Sequence, residues 1–198
     1  MAIKEAFTHE DFDEVADKIL NKSVLMVKGK KFRICEIEFY YTNKEHNDEY
    51  THCSPEQAKF GLFYFHKYAN GTYKNGTYKG MDLTFGNADL YCGILVRSIY
   101  NIDDDEFIEG PCRSVNKILE LNDKDNVADF MKGKDKIKLY EKNDQLYLRS
   151  TSSLDEEDIY KGPRVGLSNK YPDFLERDYR YATMIKKIKK QKKFEKVE

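Results

Sequence analysis

The sequence predicts a domain of the α+β class, and three observations lead to this prediction. The chain has 198 residues, 40% of them hydrophobic, which suffices for one domain with a sizeable core, or for one domain and a tail. Apolar residues recur at helical spacing over residues 8–20 and 111–121. Elsewhere, short apolar or alternating runs are separated by turn residues, which is typical of strands joined by hairpins.

The first part of the chain predicts a helix followed by a hairpin. Thr8 or Asp11 can cap a helix that ends near residue 20. Strands at residues 23–27 and 31–40 follow, joined at Lys28-Gly29-Lys30. Strict alternation in the second strand would place five side chains on one face: Phe32, Ile34, Glu36, Glu38 and Tyr40. Two glutamates are unusual there, because a solvated face is not built mainly from Phe, Ile and Tyr.

The rest of the chain predicts several strands and one further helix. Residues 41–55 read as a polar connection, and residues 56–65 mix helix and strand signals. The motif NGTYK occurs twice in residues 70–79 and predicts two turns of a meander. Residues 90–100 predict a buried strand, residues 103–106 a loop, and Gly110-Pro111 the start of a helix that ends at residue 121. A hairpin is predicted from residues 136–140 and 145–149, then a short strand or turn at 163–168 and a strand end at 179–181.

The charge is distributed unevenly and divides the chain into a body, residues 1–184, and a Lys-rich tail, residues 185–198. The tail holds seven lysines and two glutamates, net +5, so the body carries net −6. A body this acidic does not favour a broad nucleic-acid surface, whereas the tail can attract phosphate. We expect the tail to be helical or disordered, with solvation, nuclear import or DNA tethering as its alternative roles.

The composition argues against membrane insertion, secretion and metal chemistry. No apolar run approaches the ~18 residues that span a bilayer, and the first residues resemble no signal peptide, so we expect an intracellular protein without a membrane partner. It would be nuclear in a eukaryote and cytoplasmic otherwise. The four cysteines form no CxxC pair and predict free thiols. No common metal-ligand spacing is matched by His46, His52, Cys53 and His66, so we expect no metal site. We also expect no cofactor and a monomer.

Six short segments occur in an order and spacing known from one protein family. They are residues 34–40 (ICEIEFY), the step from Asp48 to His52, residues 76–81 (GTYKGM), 93–99 (GILVRSI), 109–119 (EGPCRSVNKIL), and 163–168 (PRVGLS) with the closing YRY of 179–181. By these segments the chain resembles the alkyladenine (3-methyladenine, or methylpurine) DNA glycosylase family over nearly the whole body. The resemblance implies a single mixed α/β domain around a curved, mostly antiparallel β-sheet, and excision of an alkylated or deaminated purine flipped out of DNA.

The same resemblance implies roles for four residues. Glu38 would orient and deprotonate water, Arg97 would help to hold that water, and Tyr40 and His52 would sandwich the flipped base. Cleavage of an N-glycosidic bond passes through a cation-like sugar, which a carboxylate stabilises. An arginine inside an apolar strand needs a partner, and Glu38 is the obvious candidate. Glu36 has no motif behind it and is expected to be a structural acid, or one that supports the substrate-contacting residues from behind, and a bystander to the chemistry itself. Because no lysine replaces Glu38, we expect hydrolysis without a Schiff base or strand cleavage.

The chain departs from the family in the loop before Met81. Lys79 stands where the family has a tyrosine that enters the duplex, with Tyr78 beside it, and Gly76 falls near a second base-stacking tyrosine. We expect Tyr78, Lys79 and Asp82 to contact substrate, although Asp82 and Lys79 could instead pair across a turn. These departures leave three functions open: action on damaged DNA, action on a nucleoside, nucleotide or RNA-linked base, and a non-catalytic binding module.

Overall fold

An eleven-stranded antiparallel sheet with short helices forms the described part of the protein. The structure, a computed structural model, describes residues 7–189 and 193–198. The strands are β1 (Ser23–Val27), β2 (Lys30–Thr42), β3 (Phe60–Phe65), β4 (Met81–Phe85), β5 (Tyr91–Asn101), β6 (Glu106–Glu109), β7 (Ile137–Lys138), β8 (Leu146–Ser150), β9 (Tyr160–Gly162), β10 (Arg180–Ala182) and β11 (Glu195–Lys196). The helices are α1 (Phe12–Leu20), α2 (Pro111–Leu121), α3 (Val127–Met131) and α4 (Pro172–Leu175), with 3-10 turns at His9–Asp11, Gly76–Tyr78 and Ile185–Lys187.

The two longest strands, β2 and β5, organise the sheet. They pair with each other, and the sheet continues from β5 through β4 and β3 to β7, and from β2 through β10 and β9 to β11. The first residues of β2 also pair with β1, which pairs with β8, while β6 pairs with β5. The described chain is therefore a single α+β domain around an antiparallel sheet, as the sequence predicts. No helix in the described ranges is long and apolar enough to cross a membrane.

Several predicted elements are confirmed in detail. The side chain of Thr8 accepts a hydrogen bond from Glu10 N, and Asp11 accepts one from Thr8 N at 2.7 Å, which together start the first helix. The hairpin of β1 and β2 turns at Lys28 and Gly29, both with positive φ. Helix α2 begins with Pro111 at its first position, as predicted.

The predicted hairpin over residues 136–149 is wrong. Strand β7 pairs with β3, and β8 pairs with β1, so the two segments belong to different parts of the sheet. One backbone hydrogen bond, from Leu148 N to Leu139 O at 2.5 Å, still links them. Sequence alternation shows that a segment is a strand but not which edge it will join, because pairing depends on where the remaining strands leave free backbone groups.

The expected helix in the Lys-rich tail is limited to the first described residues, and the rest of the described tail packs against the sheet. Residues 185–187 form a 3-10 turn, Ile188 is fully buried, and β11 pairs with β9. The Arg180 guanidinium lies over the ring of Phe194, with 4.3 Å between its carbon and the ring centre. Residues 190–192 of the tail lie outside the described residues. The apolar residues among the lysines therefore anchor this segment to the sheet.

The predicted alternation of β2 fails in the middle of the strand. Core side chains are Phe32 and Ile34 before that point, and Ile37 and Phe39 after it, so the inward set shifts by one residue. The shift coincides with register irregularities between β2 and β5 around Glu36. A β-bulge of this kind adds an unpaired residue and turns the following side chains to the other face. Phe32 and Ile34 consequently do not share a face with the two glutamates.

Neighbouring rows of the sheet show its two faces. One row runs across four strands through Phe39, Ile94, Leu83 and Phe63, all members of the hydrophobic core with the apolar faces of α1, α2 and α3. The adjacent row runs through Glu38, Leu95, Asp82 and Tyr64, which lie outside that core although each is buried. This second face carries the candidate site.

Candidate functional site

The second face of the sheet holds two polar groups in one cross-strand row. Glu38 of β2 lies opposite Leu95 of β5, which lies opposite Asp82 of β4. Residues directly opposite each other point to the same face, and strands are spaced by about 4.8 Å, so the two carboxylate-bearing residues lie on the order of 10 Å apart. Each of the two carboxylates forms hydrogen bonds with a separate group of neighbouring residues.

Glu38 is fully buried and is held by three donors. Its Oε1 accepts a hydrogen bond from Val165 N at 2.8 Å. Its Oε2 accepts one from the Tyr40 hydroxyl at 3.0 Å and lies 3.2 Å from a terminal nitrogen of Arg97. The predicted pairing of Glu38 with Arg97 is therefore found. Burial disfavours the Arg97 cation, but Glu38 and Glu36 outweigh burial and raise the pKa of Arg97 above its ordinary value.

Glu36 is part of the same cluster, where its contacts are those expected of a structural acid behind Glu38. Its Oε1 accepts hydrogen bonds from Arg97 Nε at 3.0 Å and from Arg180 Nε at 2.7 Å, and its Oε2 accepts one from Ser98 Oγ at 2.5 Å. Two carboxylates thus share the Arg97 guanidinium. Strict alternation already places Glu36 on the face of Glu38 and Tyr40, and the register irregularity described above moves Phe32 and Ile34 to the opposite, core face.

Tyr40 combines a buried hydroxyl with a partly exposed ring. Burial, and next the Glu38 carboxylate, raise the pKa of Tyr40 well above its ordinary value, so the hydroxyl remains a donor. The carbon of the Arg164 guanidinium lies 4.7 Å from the centre of the Tyr40 ring. Arg164 is itself held by a buried pair of contacts to Asp48, at 2.6 and 3.0 Å. This bidentate ion pair holds the Arg164 guanidinium in place against the Tyr40 ring.

Asp82 forms the centre of the second group. It accepts a hydrogen bond from Gln57 Nε2 at 2.9 Å, and its other oxygen lies 2.7 Å from His66 Nε2. The alternative in which Asp82 pairs with Lys79 across a turn is therefore wrong. A side chain at Gly93 would meet the Asp82 carboxylate at 2.4 Å, so only glycine leaves room for this group on the face of β5.

His52 joins the second group through ring packing. The His52 and His66 ring centres are 5.1 Å apart, in an edge-to-face arrangement. His52 keeps an exposed surface, yet poorer solvation among the surrounding protein atoms, and next the neighbouring His66, lower its pKa, while Asp82 acts in the opposite direction. The neutral imidazole is consequently favoured, and a neutral ring is a suitable surface for stacking.

The predicted site residues therefore fall into three places. Glu38, Arg97 and Tyr40 form one cluster, Asp82 and His52 belong to the neighbouring group, and both lie on one face of the sheet. Tyr78 and Lys79 lie on and just after the 3-10 turn that precedes β4, where Tyr78 is 72% exposed and Lys79 is half-buried. Among the described residues, no side-chain hydrogen bond joins either of them to the two groups.

Sequence reasoning missed the roles of Arg164, Arg180 and Gln57. Arg164 and Arg180 stand within the PRVGLS and YRY segments, so their presence was visible, but their partners lie more than 100 residues away in the sequence. Gln57 carried no signal, because it lies in a stretch of mixed propensity. Within the described ranges, no three His, Cys, Asp or Glu side chains are grouped so that they could hold a metal ion.

The chain is similar in sequence to a viral protein. No protein-family model matches the chain. The chain is 42% identical over 194 residues to "Uncharacterized protein L759" of Acanthamoeba polyphaga mimivirus, and the match covers 91% of this chain and 89% of that protein. Identity at this level over nearly the full length of both proteins means that the chain belongs to the same family as the mimivirus protein L759.

Proposed function

We propose that the protein is a DNA glycosylase of the monofunctional type, which hydrolyses the N-glycosidic bond of a flipped alkylated or deaminated purine during base excision repair. The observation that carries the proposal is a buried carboxylate, Glu38, fixed beside the partly exposed ring of Tyr40. The resemblance of the sequence to the methylpurine DNA glycosylase family, and the fold that this resemblance implies, support it. The antiparallel α+β architecture is compatible with that fold.

The hydrogen bonds made to Glu38 leave one lone-pair site of its carboxylate without a donor among the described residues. A carboxylate offers about four lone-pair sites. Among the described residues, Val165 occupies one site on Oε1, while Tyr40 and Arg97 occupy two on Oε2. The remaining site on Oε1 is where we place the attacking water. Glu38 takes a proton from this water as the base departs, and its charge stabilises the cation-like sugar.

Tyr40 and His52 supply the surfaces that hold the base. Arg164 covers one side of the Tyr40 ring, and the other side is the surface on which we place the base. An alkylated purine carries positive charge, which favours stacking on electron-rich rings. Such a base is also a good leaving group, so a strong general acid is not required.

Tyr78 is the side chain best placed to enter the duplex. It is by far the most exposed of the large apolar side chains in the described chain, at 72%, whereas Tyr140 is 37% exposed. A ring presented on a short turn can replace a base in the stack, and stacking of this kind is worth about 1–3 kcal/mol. The tyrosine missing at Lys79 is thus replaced by its neighbour. Tyr78→Ala should weaken binding to damaged duplex more than Tyr140→Ala.

Base release from defined oligonucleotides tests the proposal. Duplexes with a single hypoxanthine, ethenoadenine or 7-methylguanine are incubated with excess protein, and abasic sites are revealed by alkali. We expect release by the wild type and a loss of about 100-fold or more in Glu38→Gln. Glu106→Gln, the same change at a half-exposed residue, is the matched control. Equal release by wild type and Glu38→Gln, or none by either, would refute the proposed activity.

A free nucleoside or nucleotide is the second candidate substrate. It is favoured by the net charge of −6 on residues 1–184, which opposes broad contact with a DNA backbone. Release of base from nucleosides or 5′-nucleotides, at a rate higher than from oligonucleotides, would select this alternative. Binding of either compound without release by wild-type protein would instead indicate a non-catalytic module.

A further inference from the structure

A cavity of about 550 Å3 opens beside His52, next to the proposed base site. Its walls come from the loop that precedes β3, from Tyr64 of β3 itself, and from the loop that follows β3. The side chains that matter for its chemistry are His52, Lys59, Tyr64, Lys67, Tyr68 and Lys74. The volume lies within the range of pockets that take a ligand of nucleotide size.

The cavity is positively charged in an otherwise acidic body. Three lysines and one carboxylate, Glu56, line it. Lys67 is engaged within the protein, because its nitrogen lies 2.5 Å from Glu56 and 5.3 Å from the Tyr73 ring centre. Lys59 and Lys74, in contrast, have no ion-pair partner in the described part of the chain. Two lysines without a salt bridge among the described residues therefore line one open volume, in which Glu56 is the single acid for three lysines.

A second lysine-lined cavity shows that this arrangement is not general. It measures about 390 Å3 and lies near β7, away from the candidate site. There Lys138 pairs with Glu141 at 2.7 Å, and the nitrogen of Lys134 lies 4.5 Å from the centre of the Phe130 ring. Most lysines of that cavity are thus used internally. In the cavity beside His52, two of the three lysines have no such contact within the described ranges.

We propose that the cavity beside His52 binds a phosphate ester, held by Lys59 and Lys74. Lysine is a compact point charge that suits phosphate, and the surrounding Tyr64 and Tyr68 add ring surface for an attached sugar or base. The ester is either the backbone phosphate flanking the flipped nucleotide or the phosphate of a free nucleotide. The position of the ester next to a base rests on the proposed function, whereas the anion site itself does not.

The test uses the full chain with both lysines changed to glutamine, Lys59→Gln/Lys74→Gln. The control, Lys132→Gln/Lys136→Gln, removes the same charge from two exposed lysines near β7. All measurements are made in a Glu38→Gln background, so that binding is read without turnover. One arm titrates 2′-deoxyadenosine 5′-monophosphate against 2′-deoxyadenosine by calorimetry, and the other measures affinity for a duplex with one lesion over a salt series.

Loss of affinity in either arm supports the site and identifies the source of the phosphate. A free-nucleotide site predicts at least 10-fold weaker binding of the monophosphate, with unchanged binding of the nucleoside. A backbone site predicts weaker duplex binding and a salt slope reduced by about 1–2. Equal effects of the two double variants, or no effect in both arms, would overturn the proposal. Because base release is measured separately, the proposed function can fail while this site stands, and the reverse.

Discussion

Glu36→Gln tests whether the buried acid-arginine cluster supports the fold. In the wild type, one carboxylate accepts from Arg97 at 3.0 Å, Arg180 at 2.7 Å and Ser98 at 2.5 Å, and it is 2% exposed. Glutamine has nearly the same shape but no charge and only one acceptor oxygen. Its amide nitrogen must then face a guanidinium or the serine hydroxyl. At this position both arginines then meet a neutral acceptor in a buried environment, although Arg97 keeps its ion pair with Glu38.

The expected loss follows from the cost of breaking a buried ion pair, which is about 3–5 kcal/mol. Urea slopes are about 1–3 kcal/mol per M for small proteins. With a slope of about 2.5 kcal/mol per M, the unfolding midpoint should fall by roughly 1–2 M. The chain has no tryptophan, so far-UV circular dichroism is the appropriate signal.

Glu106→Gln is the matched control for this measurement. Glu106 pairs with Lys117 at 3.1 Å but is 48% exposed, so the same substitution should cost only about 0.2–1 kcal/mol. A change of less than 1 kcal/mol in Glu36→Gln, or a change equal to that of the control, would show that the cluster contributes nothing beyond a surface pair.

Three further changes test other parts of the structure. A methyl group at Gly162 would lie 1.9 Å from the Lys193 carbonyl oxygen, so Gly162→Ala should release β11 from β9; unchanged hydrogen exchange over residues 193–198 would contradict this. Asp48→Asn should destabilise the protein by about 3–5 kcal/mol in urea unfolding, because Arg164 loses its buried partner; a loss below 1 kcal/mol would contradict it. Burial, and next His9, lower the pKa of His46 to about 4, so stability present above about pH 6.5 should be lost as the pH falls toward 4. The loss should reach about 2–3 kcal/mol, and a similar pH dependence of unfolding in His46→Gln would refute it.

Local sequence signals determined most of the secondary structure. Helix α1 follows from its apolar spacing and the Thr8 cap, and helix α2 follows from Pro111, because these features act within one or two turns of the chain. Strand β5 follows from a continuous apolar run, and the hairpin of β1 and β2 follows from Lys28-Gly29. Each of these depends on interactions between residues close in sequence.

Part of the candidate site is also visible in the sequence. Glu38 and Tyr40 are two residues apart in one strand, and this spacing alone places both side chains on the same face. A charged residue inside an apolar strand requires a partner, so the sequence itself links Arg97 to Glu38. The distance of 3.2 Å between them agrees with that reasoning.

Only the tertiary structure decided which further residues complete the site. The register irregularity at Glu36 depends on how β2 and β5 pair, and it places Phe32 and Ile34 on the core face, away from the two glutamates. Arg180 and Val165 come from 127 to 144 residues further along the chain, so their contacts depend on where β10 joins the sheet. The seven lysines of the tail predict solvation, yet Ile188 is buried and Phe194 lies against the Arg180 cation. Sequence patterns report the preferences of neighbouring residues, whereas long-range pairing is settled by which backbone edges and buried charges remain unsatisfied in the assembled sheet.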